Sequence, residues 1–509
     1  MWRKFSGLAL TGIILLMAQQ LQAQSYEESA LTFSRTKLSG SARIQGIGGA
    51  GTALGGDYSA ARLNPAGLGM YNRSEITLSP GFSTQTTSSF YNPSLTGGTS
   101  REEVTNRLNV PGFSAVFNMP KESGKYLGGS VAISFTRIND FNNTTVYEGT
   151  NTATSIIDYF IDDAWGYTTA QFDEGDYQYN RPTGLAYFNY LIGPATLIDP
   201  SASDTEYFTD VATVPFQQEQ IKTRGAMNEW NISYGGNYND ILFFGASAGI
   251  STLRYESDKY YTESFSDDPY LNDLSLDESL DIKGTGVNLK LGVIIRPVHF
   301  FQVGLSYSTP TLYQLSEKYE AYMNTSWKNF DYYGDGSVIL GEEGAGTDVV
   351  TSEYNLTTPS RFSAGAAFIF KYGFVTGDVE LTNPGGARYS SDIDGISYGA
   401  ENDGIKAAYQ RTVNYRGGVE LRYDIFRLRG GFARQGNAYA DALNVDNSAT
   451  SITGGVGIRT KTFFIDFAVV QTKYDDQYSP YSFIANLPNP TVDLNSKTTN
   501  GIFTVGFVF

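Results

Sequence analysis

Along most of this chain apolar residues fall on every second position, the spacing of a β-strand with one apolar face. At the end of the chain Phe503, Val505, Phe507 and Phe509 share one face, and Thr504, Gly506 and Val508 the other. Earlier, Val413, Tyr415, Val419, Leu421 and Tyr423 oppose Asn414, Arg416, Glu420 and Arg422. The flanking runs repeat the pattern. Val375, Val379 and Leu381 oppose Asp378 and Glu380, while Phe426, Leu428 and Phe432 oppose Arg427 and Arg429. A single strand of this kind also fits a soluble sandwich. Charges of both signs on one face of three successive strands fit a water-filled lumen, where they can pair.

The same alternation predicts strands near 75–83, 110–119, 128–138, 229–239, 242–254, 283–296 and 300–307. Further strands fall near 360–370, 374–382, 411–423, 426–435, 451–459, 463–474 and 500–509, about fourteen in all. Short connections at 120–126, 238–241, 297–299, 371–373, 424–425 and 460–462 alternate with long ones. The long ones are 84–109, 139–228, 255–282, 308–359, 383–410, 436–450 and 475–499. Short turns on one side, long loops on the other and an even strand number describe an all-β transmembrane antiparallel barrel. Lipid cannot satisfy backbone N–H and C=O groups, so the first strand must meet the last. A barrel of this width is not filled by its own side chains and becomes a pore unless something plugs it.

The leading end offers a plug. Arg3 and Lys4, an apolar run from Leu8 to Ala18 and Leu21-Gln22-Ala23 read as an export signal, cut after Ala23. That run is too short for a membrane-spanning helix, and no later stretch is long and apolar enough for one. Between the signal (1–23) and the barrel (73–509) lies a glycine- and alanine-rich segment, 24–72. Gly46, Gly48 and Gly51 have the spacing of a dinucleotide fingerprint, but no apolar strand precedes them and no βαβ unit surrounds them. The segment contains Gly48-Gly49-Ala50-Gly51 and closes on Asn64-Pro65-Ala66-Gly67, a turn signal in its own right.

In those residues, and in their place between an export signal and a run of strands, the chain resembles the FadL/TodX-type outer-membrane transporters. The resemblance implies a fourteen-stranded barrel with an N-terminal hatch in its lumen. It also implies monomeric uptake of hydrophobic small molecules, such as long-chain fatty acids or aromatic hydrocarbons, across a Gram-negative outer membrane. In that family extracellular loops form an apolar capture groove, for which 159–161 and 187–192 are the nominated segments here. Ligand leaves sideways where the third strand kinks, so Pro111, Gly112, Gly128 and Gly129 are candidates for a wall opening. Proline removes a ladder hydrogen bond and glycine tolerates bends. The terminal Phe509 resembles the signal read by the barrel-assembly machinery, and outer-membrane lipid is the surrounding partner. A structural or adhesive barrel and a general porin are the alternatives.

Composition narrows the chemistry. Cysteine is absent, which removes disulfides and thiolate metal sites. The net charge of −17 argues against nucleic acid. The single histidine, His299, falls in a short turn, which removes the usual base of a serine hydrolase and weakens a haem-uptake reading. No cofactor and no enzyme activity are expected. Asp331, Asp335 and Glu342 fall on positions one, five and twelve of a calcium loop, but Tyr333 occupies position three. An Asp-Gly turn is the simpler reading, with a calcium-stiffened loop as the alternative.

Overall fold

A computed structural model describes residues 26–91, 98–173, 180–212, 214–483 and 487–509; the expected export signal lies outside them. Fourteen strands follow one another. They begin with β1 (Glu75–Tyr91), β2 (Thr99–Pro120), β3 (Tyr126–Asp140, running on as Asn143–Thr150), β4 (Phe216–Tyr238) and β5 (Leu242–Ser264). Then come β6 (Leu271–Val298), β7 (Phe301–Ser308 and Leu312–Asp331) and β8 (Ile339–Gly346, Val350–Thr357 and Arg361–Phe370). The series ends with β9 (Gly373–Thr382 and Arg388–Ser390), β10 (Thr412–Tyr423), β11 (Phe426–Gln435), β12 (Ala449–Arg459), β13 (Phe463–Tyr478) and β14 (Val492–Val508). Each pairs antiparallel with its neighbours, and β1 pairs with β14 from Glu75↔Val508 to Tyr91↔Val492, which closes the barrel.

Burial along these strands is inverted relative to a soluble protein. On β1 the apolar Ile76, Leu78 and Phe82 are exposed, whereas Thr77, Ser79, Ser83 and Gln85 are buried. Asn231 and Ser130 are fully buried, while Ile232 on the other face of β4 stands 61% exposed. A wall apolar outside and polar inside is stable only with hydrocarbon around it, which sets a membrane barrel apart from a sandwich.

All fourteen expected strands are present, but three expected loops are mostly strand: β1 and β2 take up 84–91 and 99–109, and two later loops shorten as well. The connection after β5 spans only 265–270, and that after β7 only 332–338. The alternation there does not fade; it changes phase. On β5 the buried positions beyond Ser251 gain apolar side chains, Leu253, Tyr255 and Tyr261 beside the buried Ser257 and Glu263, while Arg254, Glu256 and Asp258 face outward. On β7 Tyr313, Leu315, Tyr319 and Met323 are buried against outward Gln314, Lys318 and Glu320. Above the lipid the outer face meets water, and the inner face packs an ordinary apolar core. A strand reading tuned to one phase stops at the crossing.

That core fills the long-loop end of the barrel. It takes α1 (Tyr26–Ser34) from the leading segment and α2 (Ile156–Ala164) and α3 (Pro182–Phe188) from the loop after β3. Ser155 starts α2 with a reciprocal capping box to Asp158. Phe160 and Leu191, in the segments nominated for a surface capture groove, are fully buried instead. Apolar aromatics this dense pack with each other before they line an open groove.

Candidate functional site

The leading segment passes down through the lumen. Tyr26 starts it at the long-loop end, where its ring lies 5.6, 5.0 and 5.4 Å from those of Tyr354, Tyr389 and Tyr398. Phe33, near the other end of α1, packs against Phe141 and Tyr255. A second short helix, Ala42–Gly46, is capped by Ser41, whose Oγ accepts from the Ile44 N–H and donates to Asp57 Oδ2 at 2.6 Å. Left-handed φ angles of 69° and 76° at Gly48 and Gly49 then turn the chain across the wall.

Between Ala42 and Met70 this segment meets every strand. The Ala42 N–H donates to Thr504 of β14, the Gly48 N–H to Thr453 of β12 and the Thr52 N–H to Asp378 of β9, at 2.8, 3.0 and 2.8 Å. Tyr58 reaches Ser79 of β1 and packs with Ala132 of β3. Wall glycines supply the remaining contacts, because backbone approaches backbone there. A Cβ on Gly245 (β5) would stand 2.3 Å from the Pro65 carbonyl carbon, and one on Gly431 (β11) 2.2 Å from the Gly48 nitrogen. Gly304 of β7 faces Thr52, Gly418 of β10 faces Ile47, and Gly235 of β4 faces Pro65 and Gly69 in the same way. A stretch that touches all sides of a closed cylinder lies inside it.

The expected hatch motif sits at this contact. Asn64 caps the 3-10 turn Pro65–Met70 through its Oδ1 and the Ala66 N–H. Its Nδ2 donates to the Thr52 carbonyl at 2.7 Å and lies 3.3 Å from the wall carbonyls of Val293 and Leu305. Ala50 and Ala66 are fully buried.

Most of the expected lumenal charges meet. Glu420 joins Arg422 and Arg429 at 2.7 Å each, and Arg43 of the leading segment at 3.6 Å. Arg429 goes on to Asp466 at 2.6 Å, and Glu380 pairs with Arg416 at 3.1 Å. Asp378 holds the Thr52 amide. Arg427 departs from the expectation: it lies at the short turn after β10, donating to the carbonyls of Asp424 and Phe426 rather than to a lumenal carboxylate. One residue from the hairpin its side chain reaches the rim before it reaches the lumen. Sequence reasoning missed Arg43, Asp466 and the buried Lys290–Glu229 pair at 2.9 Å. Asp466 was findable, as the lone charge in the apolar run 463–470. Arg62, on the leading segment, faces the same lumen. Burial pushes its guanidinium down to about 10, with Glu229 opposing and Arg361 adding to the shift.

Above the segment lies a chamber of about 360 Å³. Leu38, Phe141, Ile221, Val470 and Leu494 give it apolar surface, and Gln85, Asn143, Ser257 and Thr472 are among its polar lining. Beside it, the β2–β3 ladder runs only from Pro120↔Gly128 to Gly112↔Thr136. Residues 99–109 of β2 keep their pairing to β1, a bulge follows at 110–111, and none of 99–111 pairs with β3. The upper part of β3 bends behind β1, where the Thr87 hydroxyl meets Asn143 and Tyr91 packs on Tyr147 at 4.8 Å. An ion pair between Arg107 and Asp140 spans the gap. Pro111 and Gly112 thus stand where the ladder stops. Gly128 and Gly129 do not, since both are paired to β2 and β4 at the short-turn end.

The candidate calcium ligands do not converge. Asp331 accepts from the Gly334 and Gly336 amides and Asp335 from Ser337, which makes an Asp-Gly turn; Glu342 accepts from Ser326 on β7. His299 occupies the turn between β6 and β7.

No family model and no curated protein matches the chain. Solved structures do. A FadL homologue of Pseudomonas aeruginosa superposes with a TM-score of 0.52 at 11% identity, covering 93% of this chain and 99% of that one. A mutant of the TodX monoaromatic hydrocarbon channel gives 0.52 at 13% identity, covering 93% and 100%. At such identities the likeness lies in backbone architecture, and on that ground the chain has the FadL/TodX-type fold.

Proposed function

We propose that this protein is an outer-membrane channel for uptake of hydrophobic small molecules, with residues 24–72 acting as its hatch. The observation that carries the reading is the leading segment's contact with all sides of the lumen. Ligand enters from the long-loop side, rests in the chamber above the hatch and leaves through the gap between β2 and β3. The chamber's mixed lining favours, within that class, an apolar body with one polar end, such as a long-chain fatty acid, over a bare hydrocarbon. The terminal Phe509, 64% exposed beside Ser74, is available as the barrel-assembly signal.

The test uses the absence of cysteine. Arg107→Cys and Asp140→Cys, bridged by a bifunctional thiol reagent, tie β2 to β3 across the gap. Uptake of radiolabelled fatty acid by cells depending on this protein is expected to fall to the level of cells without it, and to survive either single substitution treated alike. Uptake unchanged by the bridge rejects the lateral route. No uptake of any apolar compound by the native chain rejects the function.

A further inference from the structure

The short-turn rim and the lipid-facing wall beside it carry a site that uptake does not use. The turns at 120–126, 238–241, 296–300, 371–373, 422–427 and 459–462 hold eight Lys or Arg and three acids, in a chain of net charge −17. Five of these cations stand over aromatic rings: Lys121 over Tyr126, Arg296 over Phe243, Lys371 over Tyr372, Arg422 over Phe374 and Arg459 over Phe464. Side chains with an apolar stem and a charged head settle at the border between hydrocarbon and water. That border is where headgroup phosphates lie, and a basic segment there attracts anionic lipid.

Next to this rim the outer face of β10–β13 is hollowed into an apolar groove of about 800 Å³, walled by Leu421, Phe426, Leu428, Val456, Ile465 and Phe467. Its rim end includes Arg422 and Arg427. Arg422 is held by Glu420, whereas Arg427 has only carbonyl partners and no ion pair among the described residues. Farther from the rim, two residues beyond Leu428 and two before Val456, Gly430 and Gly454 pair with each other on the same outward face. A side chain at Gly430 would meet nothing within 4 Å.

We propose that this rim binds an anionic phospholipid of the periplasmic leaflet, one acyl chain in the β10–β13 groove and its phosphate at Arg427. The proposal rests on the membrane reading above. A groove on the hydrocarbon side, ending at a cation that makes no ion pair among the described residues, matches an acyl chain joined to a phosphate. A zwitterionic lipid offers the same chains without net charge, so preference for the anionic one is the distinguishing mark.

The full chain is placed in nanodiscs of phosphatidylethanolamine with a minor share of phosphatidylglycerol, and the lipid retained on release is read by native mass spectrometry. Phosphatidylglycerol is expected to be enriched about fivefold over its bulk share. In the variant Arg427→Gln the enrichment falls to the bulk ratio. Gly430→Leu, which sets a bulky side chain on the outward face beside Leu428 in the path of the acyl chain, lowers the number of retained lipids without altering the barrel's heat-dependent gel shift. Retention at the bulk ratio by the native chain, or enrichment unchanged in both variants, overturns the lipid site and leaves the uptake reading standing. A chain that does not enter nanodiscs overturns both.

Discussion

Arg429→Met is expected to destabilise the barrel by about 3–5 kcal/mol, the cost of stranding a buried charge. Arg429 is the only ion-pair partner of Asp466 among the described residues, and both side chains are almost fully buried. Glu420 keeps Arg43 and Arg422, so the loss concentrates on Asp466. Urea unfolding in lipid vesicles reads the effect. The double variant Arg429→Met, Asp466→Leu should recover most of it, because replacing both partners by apolar groups leaves nothing unpaired. A single variant as stable as the native chain would mean that water reaches Asp466 and that this part of the lumen is not closed.

Gly431→Leu and Gly430→Leu are neighbours with opposite expected outcomes. Gly431 faces inward, where a Cβ would stand 2.2 Å from the Gly48 nitrogen and 2.3 Å from the Ile47 carbonyl carbon. Backbone cannot give way as a flexible side chain does, so the leading segment must lift from β11. Overpacking of this kind costs about 1–3 kcal/mol. Limited proteolysis should then cut within residues 26–71 while the wall stays resistant. Gly430, one residue earlier on the outward face, has open space, and its variant should be cut no faster than the native chain. Equal protection in both variants contradicts the packing of the segment against this strand.

The strand order was legible because the membrane imposes one phase of alternation over each crossing, as along 413–423 and 426–432. Its failure beyond Ser251 and Tyr307 has a physical cause. Once the wall leaves the lipid, the inner face becomes the apolar one, so a strand continues while its pattern flips. The hatch motif was legible through Asn64 and Pro65, whose turn chemistry is local. What the motif touches was not, since Gly245 and Gly431 become contacts only through the closure of the cylinder. Parity along the strand accounts for Glu420 and Arg429 on the buried inner face, with Arg422 reaching Glu420 from the rim. It failed for Arg427, whose neighbouring hairpin offers its guanidinium two carbonyls.

The most direct test is the ionic current through single molecules in a planar bilayer, for the native chain and for one lacking residues 26–71. A lumen stoppered by its own leading segment predicts a native chain that is nearly silent and a shortened one that carries large, steady currents. Large steady currents through the native chain, or silence in both, would contradict it.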